Sequence, residues 1–195
     1  MKELILASSN AHKIKEIQEI LGPSFLVKGI KDLDRTIDIV EDGKNYRENA
    51  FIKAREIAKY YDSYIIADDS GLEIIALPSI LGIYSARFMG EDTPYEIRFK
   101  EIFRLLQGKE KTARFVCGIA LITPSKEEYY VEGEIKGTIG EESGSEGFGY
   151  DPIFYPEGKN CSMADLSSQE KNEISHRGRA LEKLKVLLKE LEKND

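Results

Sequence analysis

Short apolar runs alternate with amphipathic stretches along the first third of the chain. Leu4-Ile5-Leu6-Ala7 predicts a short buried strand. Ser8-Ser9-Asn10 then offers turn and N-cap chemistry, and Ile14, Ile17, Ile20 and Leu21 recur at helical spacing until Gly22-Pro23 stops them. A second strand is expected from Phe25 to Ile30, followed by a polar, acidic loop from Lys31 to Gly43. Ala50, Ala54, Ile57, Ala58 and Tyr61 predict a longer helix from about Asn45 to Tyr61. Tyr64-Ile65-Ile66-Ala67 is a further strand, and it delivers the chain into what reads as an acidic turn, Asp68-Asp69-Ser70-Gly71, ahead of an apolar segment from Leu72 to Leu77.

The pattern changes in the middle of the chain. Thr93-Pro94-Tyr95-Glu96 has the spacing of a capping box with proline at the first helical position, opening a helix that ends at Gly108. Ala113–Thr123 and Glu128–Gly137 predict two strands around the turn Pro124-Ser125-Lys126. A glycine-rich stretch, Gly137 to Gly149, leads to Tyr150-Asp151-Pro152 and a short strand, Ile153-Phe154-Tyr155. Ser167 and Glu170 form a second capping box, and the last helix, from about Ser175, carries Leu181, Leu184, Leu188 and Leu191 on one stripe. Strand–helix alternation followed by a meander predicts an α/β protein: a mixed central sheet with flanking helices, in two lobes with a cleft between them. The expectation is a single two-lobed domain over residues 1–195.

Composition narrows the function. Hydrophobic residues make up 41% and charged residues 32%, as in a globular chain. No apolar run approaches the ~20 residues of a membrane span, and no signal-peptide core follows Met1, so no membrane partner is expected. Cys117 and Cys161 are too few for a disulfide framework and lack metal-ligand spacing; two reduced thiols fit a cytoplasmic protein. The net charge of −7 argues against a nucleic-acid polymer, yet a local basic pocket with a cation can still hold a small polyphosphate.

Five clusters carry candidate chemistry. Asp68 and Asp69 follow an apolar strand, where open α/β folds place ligands, and adjacent carboxylates favour a hard cation. By itself the pair suits a solvated turn equally well. Ser8, Ser9, Asn10, Ala11, His12 and Lys13 span a strand, a polar turn and a helix start, a ready anion site, although the Walker pattern is absent. Glu41, Asp42 and Gly43 precede Glu48, Asn49 and Lys53, a group that alone reads as a solvated helix face. In Gly147-Phe148-Gly149-Tyr150-Asp151, glycines flank an aromatic on which a base can stack. Lys171, Ser175, His176 and Arg177 gather donors near a helix start, where cations oppose the helix dipole and a ligand explains them better.

The strings Ser8–Lys13, Glu41–Gly43, Glu48-Asn49-Ala50 with Lys53-Ala54, Ala67–Gly71, Gly82–Phe88, Gly147–Ile153, and Lys171 with Ser175-His176-Arg177 stand in an order and spacing that resemble the inosine triphosphate pyrophosphatase family, also described as dITP/XTP pyrophosphatases. The likeness runs from Leu4 to about Leu188, and Ile83-Tyr84-Ser85-Ala86-Arg87 is similar to the bacterial branch. Two segments depart from the family pattern: Pro78-Ser79-Ile80-Leu81 replaces two glycines and a proline, and Gly144-Ser145-Glu146-Gly147 replaces Gly-Thr-Gly-Gly. The second is given no phosphate role.

The resemblance implies a homodimer that cleaves ITP, dITP and XTP to the monophosphate and pyrophosphate, with Mg²⁺, or Mn²⁺, as cofactor. It implies Glu41 and Asp69 as metal ligands and Asp69 as the group that orients or deprotonates the attacking water. Ser8, Asn10 and Lys13, within the Ser8–Lys13 loop, would hold the outer phosphates; Lys53 would stabilise the leaving pyrophosphate, and Ser70 would bond the substrate. Phe148, in the segment with Gly149, Tyr150 and Asp151, would stack on the purine, and Lys171, His176 and Arg177 would donate to its keto oxygens. Two rivals share parts of the pattern. A pyrimidine triphosphate pyrophosphatase typically carries paired arginines where His12-Lys13 stands; a silent nucleotide-binding regulator has no need of Glu41, Asp69 and Lys13 together.

Overall fold

The computed structural model describes residues 2–194. Six strands form one sheet in the order β2-β1-β3-β4-β5-β6: β1 (Lys2–Leu6), β2 (Phe25–Lys28), β3 (Tyr64–Ile74), β4 (Thr112–Ile122), β5 (Glu128–Ile139) and β6 (Phe154–Pro156). β1 is parallel to both β2 and β3, with Leu4 opposite Val27 and Tyr64, whereas β5 and β6 are antiparallel. The sheet is therefore mixed, and helices α1 (Ala11–Leu21), α2 (Tyr46–Ala58), α3 (Tyr95–Leu105), α4 (Ser168–Ile174) and α5 (His176–Asn194) accompany it, as the alternation of patterns predicts.

The chain gathers into two compact units, each discontinuous in sequence. The first contains residues 1–69, 117–133 and 177–195; the second contains residues 70–116 and 134–176. Within the first unit, strand alternation sends successive side chains to opposite faces. Leu4, Leu6, Ile66, Cys117, Ile119 and Leu121 pack with Ile17 and Leu21 of α1 and with Ala180, Leu181, Leu184 and Leu188 of α5. Ile5, Ala7, Ile65, Ala67, Ala120 and Ile122 pack with Ala50, Phe51, Ala54 and Ile57 of α2. Each fully buried Leu or Ile contributes ~1.5–3 kcal/mol of transfer free energy, so these two layers fix which way every β3 side chain points. The second unit has its own core, in which Leu72, Ile74, Phe99, Ile102, Phe115, Ile135, Tyr150 and Phe154 are buried.

Three local expectations are corrected. Asp68-Asp69-Ser70-Gly71 is no turn: β3 runs unbroken for 11 residues through it. β3 lies between β1 and β4 in the strand order, and it stays extended through these four residues against the turn propensity of Asp, Ser and Gly. The second strand stops at Lys28, and Ile30–Asp32 is a 3-10 turn closed by Asp32 Oδ2, which accepts from Gly29 N at 2.8 Å. The Thr93 capping box does not form. Pro94 is the N-cap of α3, its carbonyl accepts from Ile97 and Arg98, and the Thr93 hydroxyl donates instead to Met89 O at 2.6 Å. The Ser167–Glu170 box forms as its spacing predicts: Glu170 N donates to Ser167 Oγ and Ser167 N to Glu170 Oε1.

Candidate functional site

Alternation along β3 splits the two aspartates. Asp68 continues the Leu6–Ile66 face toward α1 and α5, and Asp69 continues the Ile65–Ala67 face toward α2. Asp68 is 1% exposed, and its Oδ2 sits 3.3 Å from Lys13 Nζ and 3.2 Å from Arg177 Nη2. The other terminal nitrogen of Arg177 lies 2.7 Å from Glu16 Oε2, which closes a buried chain Glu16–Arg177–Asp68–Lys13. Burial alone would raise the Asp68 carboxyl, but Lys13, Arg177 and Lys53 outweigh it and hold the group well below its ordinary value. Asp68 Oδ1 is buried and accepts no hydrogen bond among the described residues. Cys117 Sγ approaches Oδ2 at 4.0 Å, and burial together with the Asp68 charge pushes its thiol up to about 12.

Asp69 meets a different set of groups. Asn49 Nδ2 donates to its Oδ2 at 3.2 Å, and Lys53 Nζ lies 3.7 Å from Oδ1. The same ammonium is 2.5 Å from Glu41 Oε1 and donates to Asp68 O at 2.6 Å. Glu41, more than twenty residues before β3 in a loop without regular structure, is thus brought to the same cation as Asp69. Asn49 completes the link, because Gly43 N donates to its Oδ1 at 2.8 Å. One carboxamide therefore ties the Glu41–Gly43 loop to the catalytic candidate. A Cβ at Gly43 would stand 2.5 Å from Asn49 Oδ1, so this approach needs glycine. Burial pushes the Asp69 carboxyl above its ordinary value, and the Glu41 charge adds to it, against Lys53, Lys13 and the Asn49 bond. For Lys53, burial pulls the ammonium down while Asp68, Asp69 and Glu41 more than compensate, so it stays charged.

In the Ser8–Lys13 segment, Asn10 is the N-cap of α1. Its Oδ1 accepts from His12 N at 3.0 Å and Lys13 N at 3.3 Å, while Asn10 N donates to Ser8 Oγ. The carboxamide thus occupies two of the backbone donors that an anion would use. Ser9, Ala11 and His12 are exposed.

In the second unit, Lys171 is 3% exposed, with Nζ 2.7 Å from Asp151 Oδ2 and 4.8 Å from the centre of the Phe148 ring. Asp151 Oδ2 also accepts from Phe148 N at 3.0 Å. Gly147 has φ +70°, and a Cβ there would collide with that same carboxylate. Phe148, Asp151 and Lys171 are thus a single group. Gly149 is half-buried and Tyr150 buried. His176 stacks on Phe115 at 4.7 Å with an interplanar angle of 14°. Ser70 is half-buried and follows Asp69 directly in β3. Sequence reading places Asn49 in a candidate cluster without giving it a role and misses Glu16; the importance of both shows only through the partners that folding brings to them.

Among the described residues, no three His, Cys, Asp or Glu side chains gather into a complete metal cage. Glu41 and Asp69 nevertheless share one cation already, in the form of the Lys53 ammonium. Two carboxylates drawn to one cation are a donor set that fits Mg²⁺, which keeps several waters and takes one or two carboxylates from a protein.

A family model described as "Ham1 family" matches residues 4–187. A protein named dITP/XTP pyrophosphatase from Bacillus subtilis is 46% identical over 193 residues, covering 96% of this chain and 98% of that protein. One of the same name from Clostridium perfringens is 47% identical, covering 97% and 98%. Among solved structures, the Staphylococcus aureus Ham1 protein superposes with a TM-score of 0.86 at 39% identity, covering 96% of this chain and 98% of that one. A HAM1 protein from Coxiella burnetii gives 0.87 at 39% identity, covering 97% and 100%. A match that spans the strand carrying Asp68 and Asp69, the helix carrying Asn49 and Lys53, and the aromatic segment around Phe148 leaves one conclusion: the chain belongs to the Ham1 family.

Proposed function

We propose that this protein hydrolyses ITP, dITP and XTP to the nucleoside monophosphate and pyrophosphate, clearing deaminated purines from the nucleotide pool. The observation that carries the reading is the convergence of Glu41, Asp69 and Asn49 around the buried Lys53 ammonium, in a chain whose near-full-length relatives are named dITP/XTP pyrophosphatases.

Glu41 and Asp69 are the residues that would hold Mg²⁺ or Mn²⁺. The bound ion would supply charge neutralisation at the phosphate oxygens, which lowers the barrier to attack at phosphorus. Ser8, Asn10 and Lys13 hold the outer phosphates. Lys53 stabilises the charge that develops on pyrophosphate, and Asp69 orients the attacking water and takes its proton. Asn49 keeps the Asp69 Oδ2 in place. Ser70 bonds the substrate.

The Phe148 ring offers a face for the purine, with Lys171 fixed beside it by Asp151. Lys171, His176 and Arg177 donate to keto oxygens; adenine presents an amino donor where hypoxanthine has O6, and donor facing donor leaves both groups unpaired. Both terminal nitrogens of Arg177 are on carboxylates, so Arg177 reads a base only by exchanging one of them. We assign the reaction to the cytoplasm, where that nucleotide pool lies, and to a homodimer.

Incubation with ITP, XTP, dTTP and ATP in the presence of Mg²⁺, with separate detection of pyrophosphate and orthophosphate, tests the proposal. ITP and XTP should be cleaved with release of pyrophosphate and should outpace ATP and dTTP. Preference for dTTP, or release of orthophosphate, would overturn it.

A further inference from the structure

Arg98 is the fourth residue of α3 and is 1% exposed. A cation this near a helix N-terminus opposes the helix dipole, and a buried guanidinium needs its charge compensated. Among the described residues no carboxylate does so. Its partners are backbone carbonyls: Nε donates to Thr93 O at 3.0 Å, Nη1 to Ser85 O at 3.2 Å and Ala86 O at 3.0 Å, and Nη2 to Gly90 O at 2.9 Å and Glu91 O at 3.2 Å. Nη1 also reaches the Tyr150 hydroxyl at 3.4 Å, and that hydroxyl donates to Ser85 O at 2.5 Å.

The caged segment, Ser85 to Thr93, contains no strand, and it holds Met89 at φ +65° and Gly90 at φ +104°. Left-handed backbone at a non-glycine residue is held only where the surroundings over-determine it. A well-packed apolar residue would stabilise α3 at least as well as a buried charge does. What the guanidinium adds is geometry: one rigid fork fixes five acceptors at once. The cage then continues through Tyr150 into the Gly147–Asp151 segment. Tyr95, over which Arg98 lies at 4.6 Å, meets the Tyr150 ring edge-on at 5.1 Å, and Asp151 N donates to Phe148 O at 3.3 Å.

We propose that Arg98 is a positioning residue for purine recognition: its carbonyl cage and the Tyr150 hydroxyl lock the Ser85–Thr93 segment to the Phe148 segment and so hold the Phe148 ring where a base stacks on it. This rests on the pyrophosphatase reading and on Phe148 as the base platform. The groups assigned to phosphate and water (Ser8, Asn10, Lys13, Glu41, Lys53 and Asp69) belong to the first unit, and Arg98 belongs to the second. Arg98 therefore acts on base binding and not on phosphoryl chemistry.

The test compares the full-length protein with its Arg98→Met and Tyr150→Phe variants. kcat and KM for ITP are read beside the inhibition constant of inorganic tripolyphosphate, a probe with no base. In Arg98→Met, KM for ITP should rise at least about tenfold, while kcat and the tripolyphosphate constant stay within about threefold. Tyr150→Phe removes only the hydroxyl link and should shift the same KM by a smaller factor, which keeps the proposal testable if Arg98→Met fails to fold. An unchanged KM in a folded variant overturns the positioning role, and so does a loss shared equally by ITP and tripolyphosphate. Absence of ITP turnover by the unaltered protein sinks the pyrophosphatase reading instead.

Discussion

Replacing Arg177 by methionine removes one cation from the interior of the first unit while keeping most of the side-chain stem. The guanidinium side chain is 2% exposed, and it bonds Glu16 at 2.7 Å and Asp68 at 3.2 Å, whose side chains are 11% and 1% exposed. Removing one partner of a buried ion pair costs ~3–5 kcal/mol, because the remaining charge stays buried without compensation. Asp68 keeps Lys13 at 3.3 Å, so the cost belongs at the lower end, ~3 kcal/mol. For a chain of this length that corresponds to a fall in Tm of about 6–12 °C.

Urea titration at pH 7 should show a lower midpoint with an unchanged slope. Adding Glu16→Gln should cost less in the Arg177→Met background than alone, by ~1 kcal/mol or more, since the two groups share one network. Acid titration gives a second readout. The Asp68 carboxyl is held well below its ordinary 3.8, so the stability that it contributes is fully present above that pH and is lost as pH falls further. The variant lacks one of the charges that depress it and should lose less stability in that acid window. A loss below ~1 kcal/mol, or strict additivity with Glu16→Gln, would refute the buried chain as a structural unit.

Three further outcomes are expected. Asp69→Asn should lower kcat for ITP by at least ~10²-fold with the fold intact, as for loss of a positioned base, and near-normal turnover would remove Asp69 from that role. Lys171→Met should shrink the ITP-over-ATP ratio of kcat/KM at least about tenfold; a preserved ratio, in this variant and in Arg177→Met, would mean that the base is read elsewhere. Cys117, buried and with its thiol pushed up to about 12, should resist alkylation at pH 8 until the protein is unfolded, and rapid labelling of the native protein at Cys117 would contradict its burial.

The architecture was legible because periodicity reports burial. The Ile14–Leu21 stripe, the Ala50–Ile57 stripe and the Leu181–Leu188 stripe each lie on a helix that faces a sheet layer, as their spacing predicts. Where competing signals were local, sequence reading failed. Asp-Asp-Ser-Gly has turn chemistry, but it lies within β3, which stays extended through all four residues. Thr93 has cap chemistry, but its hydroxyl finds Met89 O first. Side chains whose meaning depends on distant partners left no local trace. Asn49 reads as part of a solvated helix face and is 1% exposed; Glu16 interrupts an apolar stripe and is buried because Arg177 meets it; Arg98 looks like one more surface cation of a charged helix.

The strand explains why two adjacent aspartates end with opposite electrostatics. In a turn, Asp68 and Asp69 would share solvent and have similar affinities for protons. In β3 they face different layers of the first unit. One layer brings the fixed cations of α1 and α5, and the Asp68 carboxyl is pushed down. The other brings an amide, one shared ammonium and a second carboxylate, and Asp69 is pushed up. Paired acids whose environments drive their proton affinities apart are an arrangement that lets one act as support while the other exchanges protons. A residue shift in the register of β3 would exchange the two roles, and the parallel pairing of Leu4, Ile5 and Leu6 with Tyr64, Ile65 and Ile66 is what prevents it. The contrast in environment between the two carboxylates is thus set by the buried aliphatic pattern of β1 and β3 that precedes them.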